Sequence, residues 1–349
     1  MISNIGLDRI KINNVCLKSL NPQLVKLLGG DIAYNINNIG YKVINRENGE
    51  IMFLEDLILN ITGAGLSDDC KAMQVQINKT GGADNWTISM GINVPKLFYG
   101  TNEKNLSEVE EIKAIPSIIE KTCKQNGIEI DLTNATVTGI EANVNIRGNK
   151  FYKAMKLINE CWKYSDNKVF IVDTKNNGIE SLKLKLPTRE VKVYRKDIQL
   201  EDIGHICTNK DITRIEVSTN HIKTMYQAWG SNKFLDMLDN FNQVENLYKN
   251  TIKNNIYKPF KRYCIDTVDS MYNLLEGGVK ARDLIDTMGI NTVVDLDLYK
   301  QAIVKHYKSQ GKKNPYTIIR NNIKKIGNAE DYMGNIQKIE EFFKQVGLE

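Results

Sequence analysis

Long apolar runs are missing from this 349-residue chain: no stretch approaches the roughly 20 residues of a membrane-spanning helix. Its first residues, MISNIGLDRIKINNV, lack the basic-then-apolar layout of an export signal, so a cytoplasmic location is expected. Cysteine is sparse and scattered. Cys16, Cys70, Cys123, Cys161, Cys207 and Cys264 stand singly, with no CxxC pair and no Cys/His cluster, which argues against a zinc site and for reduced thiols. A Gly-rich Walker loop is absent, so any ATP-driven unwinding is expected to come from a partner. Histidine is scarcer still, limited to His205, His221 and His306, and none of these is paired. There is no internal repeat and no low-complexity tail.

What is present is an ordinary globular composition, with 42% hydrophobic and 26% charged residues. The length suits one large or two ordinary domains. The formal charge of +5 is only mildly basic, but its distribution is uneven. Between Gln301 and Asn328 no acid occurs, while Lys305, Lys308, Lys312, Lys313, Arg320, Lys324 and Lys325 all do. The stretch from Lys249 to Tyr263 repeats the pattern with Lys249, Lys253, Lys258, Lys261 and Arg262. Such stretches suit contact with a phosphate backbone. A solvated helix face in a lysine-rich protein is an equally good reading of the same residues.

The first two-thirds of the chain alternate strand-like and helix-like segments. MQVQIN (Met73–Asn78) and TISMGINV (Thr87–Val94) have period two and flank Gly81–Gly82, which predicts a hairpin. VTGIEANVNI (Val137–Ile146), SLKLKL (Ser181–Leu186), EVKVY (Glu190–Tyr194) and ITRIEVS (Ile212–Ser218) also alternate. Between them, Phe151, Met155, Ile158 and Trp162 form one helical stripe. From Ile222 onward strand alternation disappears. We therefore expect an α+β domain built on an antiparallel sheet with flanking helices (residues 1–245), followed by a smaller helical domain (246–349).

Three of these strands each place a reactive group on the polar face. Glu141 faces away from Ile140 and Ala142; Lys192 and Tyr194 face away from Val191 and Val193; Arg214 and Glu216 face away from Ile215 and Val217. If the strands are neighbours, two carboxylates, a tyrosine and an arginine share one open face. Taken singly, each is ordinary on a half-exposed sheet.

Residues Thr87 to Gly230 resemble the filamentous-phage gene II/gene X replication initiators and, more loosely, the tyrosine initiators of small Gram-positive rolling-circle plasmids. Four blocks carry the resemblance in order: VPKLFYGTNEKNL (Val94–Leu106), similar to "P-x-x-h-x-G-x-N"; DLTNATVTGIEANVNI (Asp131–Ile146), similar to the acidic strand; REVKVYRKDIQLED (Arg189–Asp202), similar to the strand ending in the nicking tyrosine; and ITRIEVSTNHIKTMYQAWG (Ile212–Gly230), similar to "h-h-R-h-E". The resemblance implies Tyr194 as nucleophile, Glu141 and Glu216 as ligands of Mg²⁺ or Mn²⁺, and Arg214 beside the second acid. Arg214 or Lys196 would pair with a phosphate oxygen. Two positions depart from the family pattern. Gly139 stands where an arginine is usual before the first acid. Gln199 stands where a glutamate is common, leaving the third ligand or the general base open among Asp197, Glu201 and Asp202.

By this resemblance the chain is a metal-dependent endonuclease and strand transferase of rolling-circle replication. It would nick one strand of a double-stranded origin through a covalent tyrosyl-DNA link and later rejoin the ends. Implied partners are the origin, single-stranded DNA, and the helicase and polymerase of a bacterial host; a homodimer is compatible, and phage and plasmid sources stay open. The lack of paired histidines separates the site from HUH initiators, which bind metal through two histidines one residue apart. The helical region, with Lys258, Lys261, Arg262, Lys305, Lys308, Lys312 and Lys313, is the expected origin contact. A tyrosine recombinase is disfavoured, because no Arg…His-x-x-Arg…Tyr arrangement occurs. Two rivals remain: a non-enzymatic DNA-binding regulator, and a hydrolytic nuclease in which water attacks.

Overall fold

The structure is a computed structural model that describes residues 5–21, 39–43, 56–62, 71–79, 86–148, 150–164, 169–175, 178–202, 210–284, 296–312, 315–326 and 329–348. The strands are β1 (Gly6–Leu20), β2 (Ile39–Val43), β3 (Asp56–Thr62), β4 (Lys71–Lys79), β5 (Trp86–Asn93), β6 (Ile128–Asp131), β7 (Thr136–Arg147), β8 (Val169–Lys175), β9 (Gly178–Lys185), β10 (Glu190–Arg195) and β11 (Ile212–Thr219). They form one sheet in the order β2-β3-β4-β5-β1-β7-β11-β10-β9-β8, with β6 also on β1. Every pairing is antiparallel. The expected α+β class with an antiparallel sheet and a helical C-terminal region is what the chain adopts.

Period-two alternation explains the sheet's buried face. Ile140, Ala142 and Val144 of β7, Ile215 and Val217 of β11, and Val191 and Val193 of β10 are all buried. The pair formed by β4 and β5 joins Met73 to Ile92 and Ile77 to Ile88, as the two alternating segments predicted; Gly81–Gly82 lies outside the described residues. The stripe of Phe151, Met155, Ile158 and Trp162 is buried on a 3₁₀ turn (Phe151–Ala154) that runs into a helix (Met155–Tyr164).

In chain order the helices are α1 (Val94–Tyr99), α2 (Val109–Gln125), α3 (Met155–Tyr164), α4 (Lys196–Asp202), α5 (Ile222–Trp229), α6 (Phe234–Asp239), α7 (Phe241–Ile252), α8 (Lys258–Glu276), α9 (Leu296–Ser309), α10 (Tyr316–Ile323) and α11 (Asn335–Gln345). A π-helical turn, Lys253–Tyr257, links α7 to α8. The Tyr248 hydroxyl of α7 donates to the Ile215 carbonyl of β11 at 3.1 Å, and Trp162 Nε1 donates to the Asn255 carbonyl at 2.6 Å. These bonds fix the helical layer to the sheet.

Residue 245 lies within α7. The sheet's hydrophobic cluster continues past it through Ile252, Ile256, Phe260 and Tyr263, and takes in Ile339, Phe342 and Phe343 of α11. A second cluster, with Met271, Leu275, Leu296, Tyr299, Ile303 and Ile319, joins α8, α9 and α10. Phe342 packs edge-to-face on Phe151, and Phe343 on Phe260. Truncating a buried phenylalanine costs about 3–5 kcal/mol, so α11 is an integral part of the sheet's core. Among the described residues, no helix is long and apolar enough to cross a membrane.

Candidate active site

The three strands that carry reactive groups are neighbours. In register, Tyr194 of β10 lies across from Arg214 of β11, which lies across from Asn145 of β7; Lys192 lies across from Glu216, which lies across from Asn143. Glu141 pairs with Ser218 and therefore sits diagonally to Glu216. The Tyr194 hydroxyl donates to Glu216 Oε2 at 3.2 Å, and Lys192 Nζ donates to Glu216 Oε1 at 3.1 Å.

The face is not open, as the alternation had suggested. Tyr194 is 9% exposed, Arg214 is fully buried, and Asp8, Asn143, Lys196 and Glu216 are buried as well. Two segments cover them. One is α4, which begins immediately after β10. The other is the loop after α1, set up by two caps. Asn93 Oδ1 accepts from the Lys96 amide at 3.0 Å, and Gly100 ends α1 at φ 74°, a left-handed conformation that favours glycine. That turn brings the Asn102 carbonyl onto Arg214 Nη2. Leu106 then bridges to Leu7 of β1, over Gly6, where an added Cβ would stand 2.6 Å from Asn105 Cβ. Only glycine leaves room for the loop there.

β1 supplies the acid that strand alternation did not reveal. Leu7 pairs with Ala142 and Arg9 with Glu141, so Asp8 is the extra residue of a bulge. Asp8 Oδ2 lies 3.2 Å from Arg214 Nη1, and Arg214 Nε donates to Asn145 Oδ1 at 2.8 Å. Asp8, Glu141 and Glu216 each offer an oxygen, and these oxygens lie within 4.8 Å of one another. The spacing Leu7-x-x-Ile10, which breaks period two, is the sequence signal of the bulge.

Three carboxylates so close repel, and the site registers it. Burial, then Glu216, raises Glu141 to about 7, although Arg9 and Lys192 work in the other direction. Lys192 is held above its ordinary value: burial opposes its charge, but Glu216, Glu141 and Glu190 outweigh it. Burial raises the Tyr194 hydroxyl well above its ordinary value, against the field of Arg214. Burial, then Arg214, lowers Lys196 to about 7. Asp8 Oδ1 and both polar side-chain atoms of Asn143 are buried without a hydrogen-bond partner. Hard oxygen donors with unmet capacity fit a divalent cation such as Mg²⁺ or Mn²⁺.

The remaining expected residues fall out as follows. Lys196 Nζ donates to Gln199 Oε1 at 2.8 Å and lies 5.9 Å from the centre of the Tyr194 ring. Asp197 turns to Arg195 at 2.7 Å and accepts from the Asp211 amide at 3.0 Å, away from the carboxylate cluster. Asp202 lines the cleft and Glu201 does not; both are exposed. At Gly139 an added Cβ would meet Asn220 Oδ1 at 2.4 Å and Lys11 Cδ at 3.1 Å, so Lys11 of β1 occupies the space beside this position. The cleft measures about 420 Å³ and is lined by Asp8, Glu141, Tyr194, Lys196, Gln199 and Glu216 among others.

None of the expected origin-binding cations lines this cleft. Lys261 pairs with Glu340 at 3.0 Å, Arg262 with Asp266 at 3.5 Å and Lys305 with Asp269 at 2.6 Å. Lys258, Lys308 and Lys312 are exposed, and Lys313 lies outside the described residues. Among the described residues Cys16, Cys123, Cys161 and Cys264 form no disulfide; Cys70 and Cys207 lie outside the described residues.

The fold and site thus define an antiparallel-sheet protein with a tyrosine set against three carboxylates. No protein-family model matches the chain, and no curated protein does. Among solved structures it is similar to a rolling circle replication initiator protein from Geobacillus stearothermophilus. That likeness has a TM-score of 0.36 and 12% sequence identity over 72% of this chain and 84% of that one.

Proposed function

We propose that this protein is a rolling-circle replication initiator that nicks one DNA strand with Tyr194 and later rejoins the ends. The observation that carries the reading is the hydrogen bond from the Tyr194 hydroxyl to Glu216, within a cluster that also contains Asp8 and Glu141. The ordered sequence blocks support it independently.

In this reading Tyr194 Oη attacks the phosphorus, the bond from phosphorus to the sugar O3′ breaks, and a phosphotyrosine and a free 3′-hydroxyl result. A phenol with an ordinary pKa near 10 leaves far more readily than a sugar alcohol, so the 3′-hydroxyl can reverse the step. Asp8, Glu141 and Glu216 would hold Mg²⁺ or Mn²⁺, which when bound neutralises charge on the scissile phosphate. The phenolic proton lies on the bond to Glu216 Oε2, which gives it an exit. Lys196, lowered to about 7 by burial and Arg214, is the group to protonate the departing O3′. Arg214 is fully buried among Asp8, Asn145 and the Asn102 carbonyl, so it is a positioning residue that orients Asp8.

The exposed Lys258, Lys308 and Lys312 are the proposed origin contacts on the helical region, with 1–245 and 246–349 kept as the proposed functional division. Because α11 belongs to the sheet's core, charge reversal at these lysines tests that assignment better than truncation. The central test is an incubation of supercoiled DNA carrying the replicon's origin with Mg²⁺. Wild type should produce open circles and Tyr194→Phe none. Equal nicking by both proteins would favour attack by water on the same three-acid site, and no nicking by either would sink the proposal.

A further inference from the structure

A second cavity, of about 580 Å³, is lined in part by Lys104, Asn105 and Ser107, which follow Asn102 in the loop that covers Arg214. Its size is in the range of small-molecule and nucleotide sites. Lys104, Asn105 and Ser107 of that loop form one wall, Asn145, Ile146 and Arg147 of β7 a second, and Lys338, Glu341 and Gln345 of α11 a third, over a floor of Phe151 and Phe342. The loop therefore contributes Asn102 to the cleft and its next residues to the cavity. The two spaces share a scaffold. Asn145 accepts from Arg214 through Oδ1 and donates to the Glu103 carbonyl through Nδ2 at 2.9 Å, and Arg147 Nη2 donates to that same carbonyl at 3.0 Å.

The polar face of β7 reads Glu141, Asn143, Asn145, Arg147, from the carboxylate cluster to a cation. From Glu141 to Arg147 the strand spans about 20 Å. At a stacked spacing of about 3.4 Å per nucleotide that is no more than about six nucleotides, and fewer in an extended strand. The balance of charge shifts along this path. The cavity wall carries Lys104, Arg147 and Lys338 against Glu341, with Arg147 also paired to Glu103 at 3.6 Å, whereas the cleft sets the acids Asp8, Glu141, Glu180, Asp202 and Glu216 against Arg9, Lys192, Arg195 and Lys196. A DNA strand whose scissile phosphate lies at the acids needs cations for the phosphates that flank it. An apolar floor beneath a basic rim suits one nucleotide of such a strand.

We propose that this second cavity is a subsite for a nucleotide of the single strand flanking the nick, with Lys104 and Lys338 contacting its phosphate. The proposal rests on the nicking function argued above. It assigns a role in strand binding to α11, which lies at the far end of the sequence from the catalytic strands.

The test measures binding of fluorescein-labelled oligodeoxythymidylates, about 4 and about 16 nucleotides long, by anisotropy on the Tyr194→Phe protein, so that cleavage does not interfere. The reference protein should bind the longer strand more tightly. Lys104→Glu and Lys338→Glu should each weaken the longer strand severalfold, flatten its salt dependence by about 0.7 in log–log slope for the lost contact, and leave the short strand's affinity unchanged. Lys121→Glu, the same charge change on the exposed face of α2, should do neither. Equal loss in all three variants, or no loss at Lys104 and Lys338, overturns the subsite while leaving the nicking function standing. If neither oligonucleotide binds the reference protein, the nicking function falls and the subsite with it.

Discussion

Glu141→Gln is expected to stabilise the metal-free protein above neutral pH while destroying its metal site. Burial and the charge of Glu216 raise Glu141 from the ordinary carboxylate value of 4.5 to about 7. A carboxyl whose folded value lies above its unfolded one binds its proton more tightly in the fold. Stability from this group is therefore full below about pH 4.5, declines as pH rises, and is wholly lost above about pH 7. At about 1.4 kcal/mol per pH unit the interval corresponds to about 3 kcal/mol. Glutamine keeps the shape without the charge, so the variant escapes that loss. Denaturant melts in EDTA should show Glu141→Gln about 3 kcal/mol more stable than wild type at pH 8, with the difference falling below about 1 kcal/mol at pH 5. Adding Mn²⁺ should reverse the order. Wild type gains about 4.1 kcal/mol at a thousandfold excess over Kd, more than the deficit of about 3 kcal/mol, and the variant gains far less. A variant less stable than wild type at pH 8 without metal, or a difference that does not change with pH, would refute this account of the cluster.

Other perturbations probe the groups around the cluster. Arg214→Met should cost about 3–5 kcal/mol, because it strands the buried Asp8 carboxylate, and Mn²⁺ affinity measured by calorimetry should fall with it. Gln199→Glu should give Lys196 a carboxylate partner and raise it from about 7, so the alkaline fall in nicking rate moves to higher pH. An unchanged pH profile would remove Lys196 from the proton path. Lys308→Glu with Lys312→Glu should weaken binding of duplex origin DNA in gel shifts without altering cleavage of pre-melted single strand.

The polar faces of β7, β10 and β11 were legible in the sequence because each strand alternates cleanly and its apolar partners are buried in one core. Their adjacency was not legible, since strand order is set by non-local pairing: β7 and β11 are neighbours across more than sixty residues of chain. Asp8 was hidden for a different reason. Period two holds on either side of it, and only the bulge turns Asp8 and Arg9 together toward Glu141. Of the three acids left open, Asp197 is turned to Arg195 because α4 starts right after β10. Closure of the face came from Gly6 and the loop at Asn102, a packing event between segments about a hundred residues apart. The stretch after Gln301 is acid-free in sequence but not in space, because Lys305 finds Asp269 on α8, an earlier helix.

The central claim is that Tyr194 becomes covalently joined to DNA. The most direct measurement is to incubate wild-type protein and Mg²⁺ with radiolabelled single-stranded origin DNA, denature, isolate any adduct, and map it by peptide mass spectrometry. The account predicts one adduct, on the peptide containing Tyr194, that disappears in Tyr194→Phe and when metal is chelated. Cleaved DNA without any adduct, or an adduct on another residue, would contradict it.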